Sequence, residues 1–218
     1  MTISTRLLAS MSALLVVQLA LASEPVAIIE EIDAPGNTLQ FMDYVTAGDV
    51  IDLGASGKIV LGYLRSCVRE TVVSGRITVG RNKSQVQDGQ VERKIVECDG
   101  GNLQLSAEQA ANSATTMFRN LNPVAKSELK PSVRVFGTSP VIKLPPENYE
   151  ISIQRVDGKG SRYNMSSSGN VVDLLERNIV LTPGGIYQVQ SGDKSIVFKV
   201  ALSAKRGSIP IVSRLVRF

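Results

Sequence analysis

Short apolar runs that are repeatedly cut by Gly, Asp, Asn and Ser constrain the fold of this chain more than any other feature. Val26–Ile32 is rich in β-branched residues, and the turn cluster Asp33–Asn37 follows it. Lys58–Leu64 is apolar with little alternation, which is typical of a buried strand. Val72–Val79 and Val86–Val96 continue the pattern. The sequence therefore predicts an all-β protein.

The chain divides into two β-rich parts around a segment that contains Pro123 and Pro131. The second part, residues 133–218, resumes the strand pattern with Gly-rich breaks, which is the signature of an immunoglobulin-like β-sandwich. The predicted strands there are Val133–Phe136, Val141–Leu144, Tyr149–Val156, Arg162–Ser166, Val171–Leu175, Ile179–Leu181, Ile186–Val189, Ser195–Leu202 and Pro210–Phe218. We therefore predict a β domain at 23–118, a linker at 119–132 and a β-sandwich at 133–218.

Two local signals add detail to the first part. Asp88-Gly89 is a strong hairpin signal, and it predicts a turn between two paired strands. Ser106–Asn112 is rich in Ala, and Ser106 and Gln109 have capping-box spacing, so one short helix is predicted there.

The first 22 residues are predicted to be a cleavable signal peptide. Arg6 precedes the apolar run Leu7–Leu21, and Ala20-Leu21-Ala22 provides small residues before a cleavage point between Ala22 and Ser23. The alternative is that the segment is retained as a membrane anchor, although the run is short for a span. We expect a periplasmic or secreted bacterial protein, exported by the general secretory route, with no transmembrane span in the mature chain.

The two cysteines of the chain, Cys67 and Cys98, gain meaning from that prediction. An even number of cysteines in an exported protein favours a disulfide. Both segments that carry them look like strands, so a staple between strands is expected. The alternative is a redox or metal pair, but a redox pair usually has C-x-x-C spacing and a zinc site needs more Cys or His.

Composition excludes several classes of function. The chain has no histidine, which excludes histidine-dependent catalytic triads and histidine zinc sites. The formal net charge is +4 and the positive residues are dispersed, so no nucleic-acid surface is predicted. Aromatic residues make up 5% of the chain, which leaves few candidates for a sugar-stacking platform. We predict no catalytic residues, no metal site and no cofactor.

Three polar patterns could carry chemistry, and each has a simpler interpretation. Ser127–Lys130 matches S-x-x-K but lies between prolines and lacks the partner motifs of penicillin-recognising enzymes. Asp99 follows Cys98 without further carboxylates, so a turn is expected rather than a calcium loop. Asp157, Asp173 and Glu176 are scattered, yet a glycosidase pair can come from distant positions, so a carboxylate-dependent hydrolase stays an alternative.

A Gly-Asp turn between two predicted strands is the most recognisable local pattern. Ala47–Gly54 is followed by Gly57-Lys-Ile-Val-Leu61, and we expect Asp49 to accept hydrogen bonds from turn N–H groups. Residues 44–66 resemble the FecR-like domain of bacterial envelope proteins. The resemblance implies a β-rich periplasmic module in sensing or envelope assembly, and it supplies no catalytic residues.

Together these observations predict an exported, non-enzymatic envelope protein that binds a protein or a cell-wall polymer. An accessory role in a sensing or assembly system is a further possibility that rests on the FecR-like stretch. The alternative from another class is a glycan or peptidoglycan hydrolase that uses two carboxylates.

Overall fold

The computed structural model of the chain describes residues 24–100, 130–145, 150–158 and 160–218. The predicted cleavage point at Ala22 and Ser23, the helix at 106–112 and most of the predicted linker lie outside these residues. All regular structure within the described ranges is β-strand except for short 3-10 turns, so the all-β prediction is confirmed. No helix in this part of the chain is long and apolar enough to cross a membrane.

The first half forms two sheets. Sheet 1 has the strand order β2-β1-β4-β5-β8, and sheet 2 has the order β3-β6-β7; all pairs are antiparallel. The strands are β1 (Pro25–Asp33), β2 (Tyr44–Thr46), β3 (Val50–Asp52), β4 (Lys58–Tyr63), β5 (Val68–Val73), β6 (Arg76–Thr78), β7 (Gln85–Gln87) and β8 (Gln90–Ile95).

Strands β1 and β4 are covered on both faces, which explains their apolar runs Val26–Ile29 and Ile59–Leu61. On one face, Ala27 and Ile29 of β1 join Leu61 in the core between sheets 1 and 2. On the other face, Ile28 packs into the core of the second half. In a strand with one solvent-exposed face, apolar and polar residues would alternate. The lack of alternation in these runs therefore indicates burial on both faces.

The prediction of a hairpin turn at Asp88-Gly89 is wrong. β7 pairs with β6, and β8 pairs with β5, so the chain changes sheet at this point instead of folding back. Ser74-Gly75 lies opposite and breaks the predicted strand Val72–Val79 in the same way. The two corners touch through their backbones: a Cβ on Gly89 would lie 2.2 Å from the Ser74 carbonyl oxygen, and Asp88 has a φ of 55°. The Asp-Gly pair therefore supplies a bend in a long two-stranded ribbon.

The second half also forms two sheets that pack together. Sheet 3 has the order β12-β11-β14-β15-β9 and sheet 4 has the order β13-β10-β16. β9 pairs in parallel with β15, and β10 pairs in parallel with β16. The immunoglobulin-like arrangement stays a prediction. The strands are β9 (Val133–Gly137), β10 (Val141–Lys143), β11 (Glu150–Arg155), β12 (Arg162–Ser166), β13 (Val171–Asp173), β14 (Ile186–Ser191), β15 (Lys194–Lys205) and β16 (Leu215–Arg217).

Two of the strands predicted in this half differ. Residues 179–181 form no strand, because their backbone bonds do not form a ladder: Ile179 N–H closes a turn onto the Leu174 carbonyl, and Leu181 N–H donates to the Thr138 carbonyl beyond the end of β9. The predicted final strand Pro210–Phe218 begins instead with a 3-10 turn at Ile211–Ser213, after the proline. Only its end forms β16.

One of the two hydrophobic clusters contains residues of both halves. Ile28, Met42 and Leu64 of the first half belong to the same buried cluster as Val212 and Leu215 of the second. A buried carboxylate also forms a hydrogen bond between the two halves.

That carboxylate belongs to Glu30, which is 8% exposed. It accepts bonds from Arg69 Nε at 2.7 Å and from the backbone N–H of Val212 at 2.8 Å. A Cβ on Gly62 would lie 2.7 Å from Glu30 Oε1, so a side chain there would push this oxygen away from the Val212 N–H. We call the contact between the two halves around Glu30, Gly62, Arg69 and Val212 the seam.

The predicted disulfide is present. Cys67 and Cys98 are bonded, with their Cα atoms 5.6 Å apart. The bond lies at the end of the β5–β8 ladder, where Val96 N–H donates to the Cys67 carbonyl. It holds the segment after β8 against the second half, where Asp99 accepts a bond from Arg134 N–H at 2.6 Å. Asp99 thus has a structural partner here.

Candidate functional site: a polar groove on sheet 3

Strict alternation along β11, β12 and β14 gives sheet 3 one apolar and one polar face. Ile151, Ile153 and Val189 point into the core. The residues between them are polar and point outward. They are Glu150, Ser152, Gln154, Arg162, Asn164, Ser166, Gln188 and Gln190.

The strand register brings these polar side chains into rows across the sheet. Ser152 lies opposite Asn164 on one side and opposite Gln190 on the other, and Glu150 lies opposite Ser166. Neighbouring strands are about 4.8 Å apart, so the amide, hydroxyl and amide of the first row span about 10 Å. A row of this kind offers donors and acceptors in turn to an extended polar ligand.

The rows form the floor of an open groove of about 570 Å³. Glu150 and Arg162 supply one negative and one positive charge to its lining. Among the described residues that line the groove, Glu150 is the one carboxylic acid. The lining is otherwise made of Ile151, Ser152, Asn164, Met165, Ser166, Gln190 and Gly192.

The buried carboxylates of the described chain lie elsewhere and are held by structural partners. Glu70 is fully buried and accepts bonds from Arg93 Nε at 2.7 Å and from Ser84 N–H at 3.0 Å. Asp173 accepts two bonds from Arg214, at 2.6 and 2.8 Å. Each carboxylate is fixed by an arginine, as expected for a cross-link that stabilises the fold.

Two other candidate carboxylates from the sequence also have partners close to them in the chain. Asp157 binds Arg155 at 2.7 Å, and this ion pair holds the pKa of the Asp157 carboxyl below its usual range. Asp49 accepts bonds from the backbone N–H and the hydroxyl of Thr46, as predicted for the Gly-Asp turn. Asp157 follows β11 of sheet 3, whereas Asp173 lies on β13 of sheet 4 and Glu176 lies in the turn after β13.

A cluster at the seam combines one phenol with two cations. Lys143 Nζ lies 4.4 Å from the centre of the Tyr44 ring, and the Arg217 guanidinium lies 5.7 Å from it. Burial raises the pKa of the Tyr44 phenol and lowers that of Lys143. Lys143 also donates to the Met42 carbonyl, so the cluster fastens the two halves to each other.

No group of three or more potential metal ligands lies together in the part of the chain that the structure describes. Most of Ser127–Lys130 lies outside that part. A second groove of about 390 Å³ follows the seam and is lined mainly by apolar side chains, including Ile95, Phe136 and Ile209.

Sequence reasoning missed the groove. The alternating Ser, Gln, Arg and Asn of residues 150–166 predict strands with a polar outward face, but alternation alone does not show which of these side chains lie side by side.

Comparison of the chain with protein-family models, with curated proteins and with solved structures finds no match. The FecR-like resemblance of residues 44–66 therefore stays a prediction. The disulfide is compatible with a protein that works outside the cytoplasm.

Proposed function

We propose that this protein is an exported, non-enzymatic binding module of the bacterial envelope, and that it binds a cell-wall polymer through the groove on sheet 3. The observation that carries the proposal is the row Gln190–Ser152–Asn164, with Glu150 and Arg162 beside it. Its side chains match a ligand that offers amides, hydroxyls and carboxylates together. Peptidoglycan, which joins sugars to peptides, has all three groups.

Binding fits this lining better than hydrolysis. Glycoside hydrolysis usually needs two carboxylates about 5–10 Å apart, and Glu150 has no carboxylate partner among the described groove residues. The lining also lacks an aromatic side chain in these ranges, so recognition would depend on hydrogen bonds. The hydrolase alternative would need a second acid from outside the described lining.

The test is titration of the protein with soluble disaccharide-peptide fragments of peptidoglycan, followed by calorimetry. The double substitution Ser152→Ala with Gln190→Ala should weaken binding by about tenfold, because two neutral hydrogen bonds are worth about 1–2 kcal/mol together. Gln154→Ala on the same face but outside the groove lining is the matched control and should bind normally.

Absence of binding, or equal loss in both variants, would overturn the groove as the site. Release of shortened fragments that Glu150→Gln abolishes would favour the hydrolase instead.

A further inference from the structure

β12, a strand of five residues, lies at one edge of sheet 3. β12 pairs with β11 on one side, and within the described residues no strand pairs with its other side. Exposed edges of this kind are templates for strand addition unless charge, proline or a covering segment blocks them.

The hydrogen-bond pattern identifies the residues that face outward along this edge. Val156 N–H donates to the Ile186 carbonyl, so Ser152 and Gln154 also bond toward β14. The alternate residues Ile151 and Ile153 must then bond to Met165 and Tyr163 of β12. The N–H and C=O groups of the remaining β12 residues point away from the sheet; these are Arg162, Asn164 and Ser166.

One contact on this edge agrees with the assignment. Arg177 Nη2 donates to the Ser166 carbonyl at 3.1 Å, from outside the sheet. A carbonyl oxygen has two lone pairs, so it can accept a second bond.

We propose that two copies of this chain associate through their β12 strands, antiparallel about a twofold axis at Asn164. In that register Asn164 faces Asn164 of the second copy, and Arg162 faces Ser166. All three outward-facing residues then lie opposite outward-facing residues, which allows six backbone hydrogen bonds. The five strands of sheet 3 would continue into five strands of the second copy.

The charges of Arg162 and Glu150 favour a second copy of the chain as the partner at the β12 edge. Ser166 lies opposite Glu150 within the chain, so Arg162 of the second copy would lie two strands from Glu150 on the same face. That distance is about 10 Å between backbones, which the two side chains can bridge. The twofold axis makes this pair twice.

The core-facing side chains fit the same register. Tyr163 and Met165 are half-buried in the single chain and pack at the border of the core. Across the axis Tyr163 would face Met165, which forms a sulfur–aromatic contact and covers both.

The other long edge, β8, differs in a way that sharpens the proposal. Val96 N–H donates to the Cys67 carbonyl, so Val91, Arg93 and Ile95 face outward there. The longest antiparallel pairing of two β8 strands would place Arg93 opposite Arg93, and like charges directly opposite are destabilising. β8 also carries three successive charges at Glu92, Arg93 and Lys94, whereas β12 has one charge at its end.

Sedimentation velocity of the protein over a concentration series, up to the millimolar range, tests the pairing. An interface of two five-residue strands is small, so we expect a concentration-dependent dimer rather than a permanent one. Asn164→Lys should raise the dimer dissociation constant about tenfold or more by facing like charges across the axis. Gln154→Lys is the matched control, with the same charge change on the same exposed face, and should not alter association.

Cross-linking tests the register. Asn164→Cys should be joined to its copy by a short bis-maleimide, because Cα atoms of a hydrogen-bonded pair lie about 5.5 Å apart. Gln154→Cys, about 20 Å from its copy in the proposed dimer, should not be joined. A monomer at every concentration, or equal cross-linking of both variants, would overturn the proposal. Because pairing uses the strand edge, this result does not depend on peptidoglycan binding.

Discussion

The two halves of the molecule face the same structural problem and solve it with different chemistry. In each half a terminal segment that leaves a sheet must be fastened to its neighbours. In the first half a covalent bond, Cys67–Cys98, fastens the segment after β8. In the second half Arg214 fastens the last segment through Asp173, the Ser139 carbonyl and the Ile209 carbonyl.

The main ion pairs of the two halves differ in how much charge they bury. In the pair of Glu70 and Arg93, the carboxylate is fully buried, but the arginine side chain is 37% exposed. In the pair of Asp173 and Arg214, the side chains are 13% and 6% exposed. The second half has no cysteine, so it depends on this desolvated ion pair where the first half has a covalent bond. An ion pair can act as a cross-link in this way because four N–H···O bonds hold the Arg214 guanidinium.

Removal of the ionic fastening should have the largest effect. We expect Arg214→Met to lower the free energy of unfolding by about 3–5 kcal/mol, because it leaves Asp173 buried without its partner. Urea unfolding followed by circular dichroism measures the change. Arg155→Met, which breaks the more exposed pair with Asp157, is the control and should cost about 1 kcal/mol or less. Equal losses in the two variants would contradict a special role for Arg214.

Removal of the covalent fastening should be somewhat less costly. The disulfide closes a loop with a sequence separation of 31, which in the chain-entropy model is worth about 3–4 kcal/mol. The paired substitution Cys67→Ser with Cys98→Ser should lower the free energy of unfolding by that amount. The unsubstituted protein in reducing agent should show the same loss, and an unchanged midpoint there would refute the estimate.

The seam decides whether the halves unfold together. Glu30→Ala should cost about 2–3 kcal/mol, because the Val212 N–H and Arg69 lose their buried acceptor. It should also split a single urea transition, seen by two probes, into two. Glu31→Ala is the neighbouring control, since the ion pair of Glu31 with Lys58 is solvent-exposed. Coincident transitions in Glu30→Ala would mean that the apolar part of the shared core is sufficient for coupling.

The smallest effect concerns pH and belongs to the first half. Burial raises the pKa of Tyr63 to about 12, since the phenol lies in the core, where its hydroxyl bonds to Ser84 Oγ at 2.7 Å. The folded pKa exceeds the unfolded value of about 10, so this stability is complete below pH 10 and is lost as the pH rises through 12.

Tyr63→Phe should therefore be about 1 kcal/mol less stable at pH 8, where the hydrogen bond is lost, and should fall less steeply above pH 10. Urea midpoints at pH 8 and 11 measure the difference. Parallel pH profiles for the two proteins would show that another group controls the alkaline loss.

The sequence predicted local structure well where a single physical cause acted. The β-branched runs predicted β1 and β4, and the Gly-Asp turn predicted the hydrogen bonds that Asp49 accepts. The disulfide was predicted from an even number of cysteines in a chain with a predicted signal peptide. It failed where partners are distant in the chain. The Asp88-Gly89 signal could not tell a hairpin from a sheet-changing corner, because the corner depends on Ser74-Gly75 opposite. Arg214 and Asp173 are 41 residues apart, and no local pattern links them.

The candidate groove was hidden for a similar reason. Each outward polar residue of β11, β12 and β14 looks like ordinary strand surface on its own. The groove arises because register aligns Ser152 with Asn164 and Gln190, and register is set by the apolar residues on the other face.

The bond between Glu30 and the Val212 N–H also has a consequence for how the protein folds. It joins positions 182 residues apart, from Glu30 on β1 to Val212 in the 3-10 turn before β16. Contacts of such long range make folding slow, because the chain between them must first be brought together. One face of β1 therefore stays uncovered, with its apolar side chains open to other proteins, until residue 212 has been made.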